Sequence, residues 1–188
     1  LPWDGENLLL DTGINQVTAA APPSGLHPKL TANAQYRLDF ADRVHRHMIT
    51  PNGALTPAAN ITRWAKWMSV MDNPIVAESC RWGDYRRDVH NYPGFTTGAY
   101  VLYTREGQWL AESNRIVNVY LPGRTGTVLG QLRTAGLYPI LDAPEYRQTT
   151  LAGPIIGSGS AAAGEVVALR NPGAGTIYYT TNGSDPRV

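Results

Sequence analysis

Cysteine occurs once in this chain, at Cys80. That excludes an intrachain disulfide and a cysteine-based zinc site, and a lone thiol inside a helical pattern is expected as a small buried hydrophobe. Long apolar runs are missing too: no stretch reaches the ~18 residues that a membrane-spanning helix needs. Charge is thin. Asp, Glu, Lys and Arg make up 16 % of the chain, against about a quarter in an average domain. The net charge is +1, so no basic field draws in nucleic acid or anionic lipid, and neither is expected as a partner. Lysine is nearly absent: Lys29 and Lys66 are the two among 16 Lys and Arg residues. Arg forms planar, bidentate pairs with carboxylates and phosphates, although a GC-rich genome gives the same bias. Phe occurs twice against ten Tyr and five Trp, so the aromatics are mostly amphipathic rings.

What is present suits a globular chain. Of the 188 residues, 43 % are hydrophobic, and that length allows one domain or one and a fraction. The chain opens at Leu1 rather than Met, which points to an excerpt or a processed product. A secretion signal would lie upstream. Nineteen Gly and 14 Pro announce many turns.

Residues 1–31 read as irregular. A helix is expected over Ala32–Met48, with Leu38, Ala41, Val44 and Met48 on one face, ended by Pro51-Asn52-Gly53. Thr56-Pro57 is an N-cap followed by proline at the first helical position. The helix it opens carries Ile61, Trp64, Ala65, Met68 and Met71, with Trp64 and Trp67 as packing residues, and should stop near Asp72-Asn73. Pro74 should open another, to about residue 88, with Ile75, Cys80 and Trp82 inward and Glu78–Arg81 and Asp84–Arg87 as pairs three apart. After a loop over Asn91–Val101, Thr104 caps a helix over Arg105–Tyr120 with Leu110, Ile116, Val117 and Tyr120 inward. Pro122 starts the last helix, and Gly136 stands at its C′ position. Beyond Pro139 the helical period is lost. Glu165–Leu169 and Thr176–Thr181 are short β-type runs, and Asn182-Gly183 is a tight-turn signal.

Three stretches resemble known families. The runs "ANAQYRLDFADRVHRHMITPNGALTP", "AESCRWGDYRR" and "WLAESNRIVNVYLPGRTGTVLGQLRTAGLYP" together resemble the C-terminal helical part of kinase-like proteins of the spore-coat protein H (CotH) family, over roughly residues 1–140. "PWDGENLL" is similar to the metal-binding acidic segment of that family, which makes Asp4 the implied magnesium ligand and Glu6 its companion, although the family more often has a second Asp there. "GTIYYTTNGSDPR" resembles the repeat in the C-terminal β-sandwich module of chitobiases and β-hexosaminidases, with Asn182 where Asp is usual. The resemblance implies an α+β chain. A four-to-five-helix subdomain over 1–140, like the C-lobe of a kinase, would be followed over 141–188 by a linker and a truncated β-sandwich. Two or three strands do not make a stable sandwich alone, so the rest of the same polypeptide or a neighbouring subunit would complete it.

Two functional readings follow. In the first, the intact protein, secreted or attached to a bacterial cell envelope, uses Mg²⁺ and ATP to phosphorylate Ser or Thr of an envelope or coat protein. Phosphoryl transfer is mainly positioning and charge neutralisation, and Asp4 and Glu6, two residues apart, would face the same way in an extended segment. A solvated Asp-Gly turn is the plainer structural account. The nucleotide lobe and catalytic loop would lie before Leu1, and Gly153, Gly157, Gly159 and Gly164 do not form a phosphate loop. This chain alone is therefore expected to catalyse nothing, and no catalytic residue is assigned. In the second reading the protein is a non-catalytic extracellular scaffold or adhesion component, which could associate with carbohydrate. Arg81, Arg86 and Arg87 could hold a phosphate or, with Asp84 and Asp88, form an ion-pair network. Tyr178 and Tyr179 alternate across an expected strand, so one could stack on a sugar. His45 and His47 face different directions and make poor joint ligands. His90 has no evident partner, and Ser24, Ser69, Ser79 and Ser113 lack a nucleophile elbow.

Overall fold

The computed structural model describes residues 9–21, 24–89, 101–156 and 162–187, apart from the Arg86 side chain. The chain is α+β: helices plus a small two-stranded antiparallel sheet. It divides into two compact units, Leu1–Asn15 with Ala54–Val128, and Gln16–Gly53 with Leu129–Val188.

The first unit is built on helix α3, Pro57–Trp82. Its start follows the sequence signal: Thr56 is extended and its hydroxyl accepts from the Ala59 N–H, with Pro57 at the first position. Its end does not. The helix runs through Pro74 without the expected break. Proline removes one N–H and crowds the carbonyl four residues earlier. Here that carbonyl belongs to Val70, on a face where Val70 is 54 % exposed, so water can take up the lost bond. The partly buried positions Ile61, Trp64, Met68, Asp72, Ile75 and Ser79 repeat every three or four residues. Ala65, Trp67, Met71, Cys80 and Trp82, expected inside, are exposed. Ala65, Trp67, Met71 and Cys80 each stand one residue away from a partly buried position, so the buried stripe is narrower than the apolar one.

Opposite α3 runs an unbroken helical rod. It begins with a π-helical turn at Arg105–Trp109, continues as α4 (Leu110–Arg115), widens again at Ile116–Tyr120 and becomes α5 (Leu121–Thr134). The expected break at Pro122 is absent. The second π turn ends with the Leu121 N–H bonded to the Ile116 carbonyl, and this wider turn makes room for the proline ring that follows. It also places Tyr120 and Leu121 together over Ile116. These three form the buried cluster of the unit, with Leu9, Ile61 and Trp64 packed on it. Trp64 Nε1 donates to Ser113 Oγ at 3.1 Å, and Arg105 donates twice to Asp72 Oδ1, at 2.6 and 2.9 Å. The buried Thr125 hydroxyl donates to the Leu55 carbonyl.

In the second unit, α1 (Leu26–Leu30) leads to α2 (Ala34–Val44), capped by Asn33, whose side chain accepts from the Tyr36 N–H. A π turn at His45–Ile49 extends it. The chain then reverses at Pro51-Asn52-Gly53, where a Cβ on Gly53 would come within 2.6 Å of the His47 carbonyl oxygen. The end of α5 is a Schellman stop. Gly136, at φ +69, donates to the Arg133 carbonyl and Leu137 donates to Leu132, while Leu132 and Leu137 are both buried. Strand β1 (Glu145–Gln148) pairs with β2 (Val167–Arg170), Glu145 facing Arg170. On its other side β1 meets Ile155, and the Ile156 N–H donates to the Tyr146 carbonyl. Glu145 also takes Arg147, at 2.5 Å.

Thr176–Thr181, expected as a strand, joins no ladder among the described residues. Tyr178 and Tyr179 are both exposed, at 77 % and 67 %, rather than alternating between two faces. The Asn182-Gly183 turn is formed, with Gly183 at φ +80 and the Asn182 side chain accepting from the Ser184 N–H.

Candidate functional site

The C-terminal turns of α3 present Ile75, Glu78, Ser79 and Trp82 on one face, at helical spacings of three and four. The helix stops at Gly83 because another backbone takes the space a side chain would need. The Tyr103 N–H donates to the Gly83 carbonyl at 2.8 Å, and a Cβ at residue 83 would lie 2.5 Å from the Tyr103 carbonyl oxygen and 2.4 Å from that of Ser79. This contact lays Tyr103 beside the end of α3. The next residue starts the helical rod with a reciprocal cap: Thr104 Oγ1 accepts from the Gly107 N–H, and Gln108 Oε1 accepts from the Thr104 N–H. The cap fixes the direction of the first π turn, which carries Trp109, and of α4, which carries Glu112.

Between them lies a cavity of 320 Å³. Trp82, Tyr103 and Trp109 line it together with Glu78 and Glu112, and the surface they present to it is almost wholly apolar. Trp82 is 49 % exposed and Tyr103 39 %. Glu112 is held by Arg115 at 2.6 and 2.8 Å, and this pair lowers its pKa. The Ser79 hydroxyl donates to the Ile75 carbonyl, so it is no poised nucleophile. The arrangement suits binding better than covalent chemistry.

The second unit has its own cavity, of 390 Å³, lined by His45, Ile49, Asp142, Glu145, Tyr146 and Ile155 among others. His45 Nδ1 shares a hydrogen bond with the buried Tyr138 hydroxyl at 3.0 Å. Burial lowers the His45 pKa, against a smaller opposing pull from Asp42. Burial likewise raises the Tyr138 pKa. Arg133 lies over the Tyr138 ring and pairs with Asp142 at 2.5 Å.

The residues singled out in the sequence are placed as follows. Asp4, Glu6 and His90 lie outside the described residues, as does the Arg86 side chain. Arg81 sits over the Trp82 ring, 5.1 Å from its centre. Arg87 forms a bidentate pair with its neighbour Asp88, both bonds 2.6 Å. Trp109 and Glu112 were not singled out, and Glu78 was read only as a partner of Arg81; their grouping depends on the Gly83–Tyr103 contact, which joins segments twenty residues apart in the chain. Among the described residues, no group of three or more His, Cys, Asp or Glu is placed to hold a metal ion, and no helix is long and apolar enough to cross a membrane. Comparison with protein-family models, with curated proteins and with solved structures finds no match in any of the three.

Proposed function

We propose that this chain is the C-terminal helical part of a secreted or envelope-associated CotH-type kinase-like protein, leading into a chitobiase-type β module. The intact protein would transfer phosphate from ATP to Ser or Thr of an envelope or coat protein. The observation that carries this reading is the run of three sequence phrases, all on the helical elements and the turns between them. "ANAQYRLDFADRVHRHMITPNGALTP" covers α2, its π turn and the Thr56-Pro57 start of α3, "AESCRWGDYRR" covers the end of α3 and most of a π turn at Tyr85–Val89, and "WLAESNRIVNVYLPGRTGTVLGQLRTAGLYP" covers the rod from Trp109 to its Schellman stop. Asp4, with Glu6, would be a ligand for Mg²⁺, a hard ion that prefers carboxylate oxygen. Bound there, the ion would neutralise phosphate charge.

The test is calorimetry of Mg²⁺-ATP binding to the full-length protein and to its Asp4→Asn variant. Binding that is lost or greatly weakened in the variant supports the reading. A folded full-length protein that binds no nucleotide sinks it and leaves the second reading, a non-catalytic extracellular scaffold. One observation favours that second reading: the cavity at the end of α3 has no basic lining residue, which suits recognition of a ligand other than a phosphate.

A further inference from the structure

We propose that a small pocket in the second unit binds a tetrahedral oxyanion of the phosphate or sulfate type, held by the Arg37 guanidinium together with His27 and Thr18. The site uses neither Asp4 nor Glu6, so it does not rest on the kinase reading and survives if that reading fails.

Separate stretches of chain meet at this pocket. Thr18 precedes α1, His27 lies in it, Thr31 follows its last residue, and Arg37 stands in the first turn of α2. Buried Leu137, at the stop of α5, also lines it. Size limits the ligand. The pocket holds 170 Å³, well below the ~300 Å³ at which small-molecule sites begin, so it admits an ion rather than an organic body. Unlike the cavity at the end of α3, it presents much polar surface.

Charge sets the sign. Among the described residues of the lining, Arg37 and His27 are basic and none is acidic. Arg105, Arg115, Arg133 and Arg147 each pair with a carboxylate, whereas partly buried Arg37 pairs with none among the described residues. Its Nη1 donates to the Thr31 carbonyl at 2.6 Å. Thr31 lines the pocket too, so this bond holds the guanidinium at the wall. The other N–H groups of the fork find no protein acceptor among the described residues, and a planar fork matches two oxygens of an oxyanion at once.

Two further donors stand beside it. His27 Nδ1 shares a hydrogen bond with the Tyr36 hydroxyl at 2.8 Å, and the ring packs on Phe40 with centres 5.0 Å apart, so the imidazole is fixed from two sides. With the Tyr36 hydroxyl as donor in that bond, Nε2 carries the proton and is left to donate. The Thr18 hydroxyl has no partner among the described residues, while that of Thr31 is taken by the Pro28 carbonyl. Donors arriving from separate stretches of chain suit oxygens that point in different directions, as those of a tetrahedral ion do. The lining offers no carboxylate to receive a proton from the ligand, so sulfate should serve as well as phosphate.

The experiment titrates inorganic phosphate into the full-length protein by calorimetry at fixed ionic strength. Saturable binding is expected, displaced by sulfate and not by chloride. Arg37→Gln should weaken it by about ten-fold or more, the loss of hydrogen bonds to a charged group. Thr18→Val removes an exposed hydroxyl that has no protein partner to lose. It should weaken phosphate several-fold and leave the fold intact. Lys29→Gln, which removes an exposed charge of α1 outside the lining, should change nothing. Circular dichroism confirms that each variant is folded. No saturable phosphate binding by the folded protein, binding that sulfate does not displace, full affinity in folded Arg37→Gln or Thr18→Val, or a loss in Lys29→Gln equal to that in Arg37→Gln would each overturn the proposal.

Discussion

Arginine is used here as a clasp for backbone carbonyls. Arg37 donates to Thr31, Arg124 to Thr12 and Ile14, Arg133 to Pro139, and Arg147 to Gly153. Arg63 reaches the Ala54 carbonyl. Arg115 does most: it grips Glu112 through Nε and Nη2 and reaches the Leu9 and Leu10 carbonyls as well. Irregular segments carry carbonyls that no helix or sheet satisfies, and a planar fork with five donors can serve several at once. An ammonium group donates from one point and cannot span a carboxylate and two carbonyls. Arg115→Lys should therefore cost about 1 kcal/mol, the net value of a lost hydrogen bond, read from urea denaturation. The excess of Arg over Lys has a structural use, whatever its genomic origin.

His45 sets a second prediction at the same scale. Its folded pKa lies below 6.5, chiefly because burial disfavours the charged ring. Between that lower value and 6.5 the unfolded chain binds a proton that the folded chain refuses. Stability should be full above 6.5 and fall as pH drops through the window. His45→Gln should flatten this slope when urea midpoints are compared between about pH 5 and pH 7.5. An unchanged slope would mean that other groups set the acid sensitivity.

At the scale of elements, the local signals proved legible wherever one residue settles a backbone conformation. Thr56 and Thr104 cap the helices that follow them, whereas Asn33, read as helical, is the cap of α2. Gly136 takes the left-handed conformation at the end of α5. No atom lies within 4 Å of a Cβ built there, so Gly136→Ala should lose only conformational energy, about 1–2 kcal/mol. At Gly83 the same change meets backbone on two sides and should cost more, a contrast that thermal melts can measure. The prolines misled because a proline's effect depends on what surrounds it. Pro74→Ala should stabilise α3 by roughly 1–2 kcal/mol, the intrinsic helix penalty of proline less its restriction of the unfolded chain. The short strand β1 gave no signal because it rests on partners on both sides rather than on its own pattern. The candidate cavity was illegible for a related reason: its walls meet through one backbone contact.

On the scale of the molecule, each compact unit is assembled from two separate stretches of chain. The sequence suggests a cut near residue 140, between helical and β regions. Yet α2 and the β region belong to the same unit. Arg187 makes a bidentate pair with Asp42 of α2, at 3.0 and 3.1 Å, and also holds the Asp185 carboxyl down to about 2. Glu145, Tyr146 and Ile155 share a cavity with His45 and Ile49. Removing residues 141–188 should therefore speed hydrogen exchange in α2 while leaving α3 protected. Unchanged exchange in α2 would instead favour a division at residue 140.

The wide turns at Arg105–Trp109 and Ile116–Tyr120 carry a consequence for descent. A π turn is equivalent to a single residue slipped into an α-helix, and each one advances every following side chain by about a hundred degrees around the axis. A relative lacking either insertion would keep the same helix yet fall out of phase with this chain beyond that point. Kinship along this rod should then surface as conserved blocks separated by one-residue gaps at the two turns, and an ungapped comparison would pass over it.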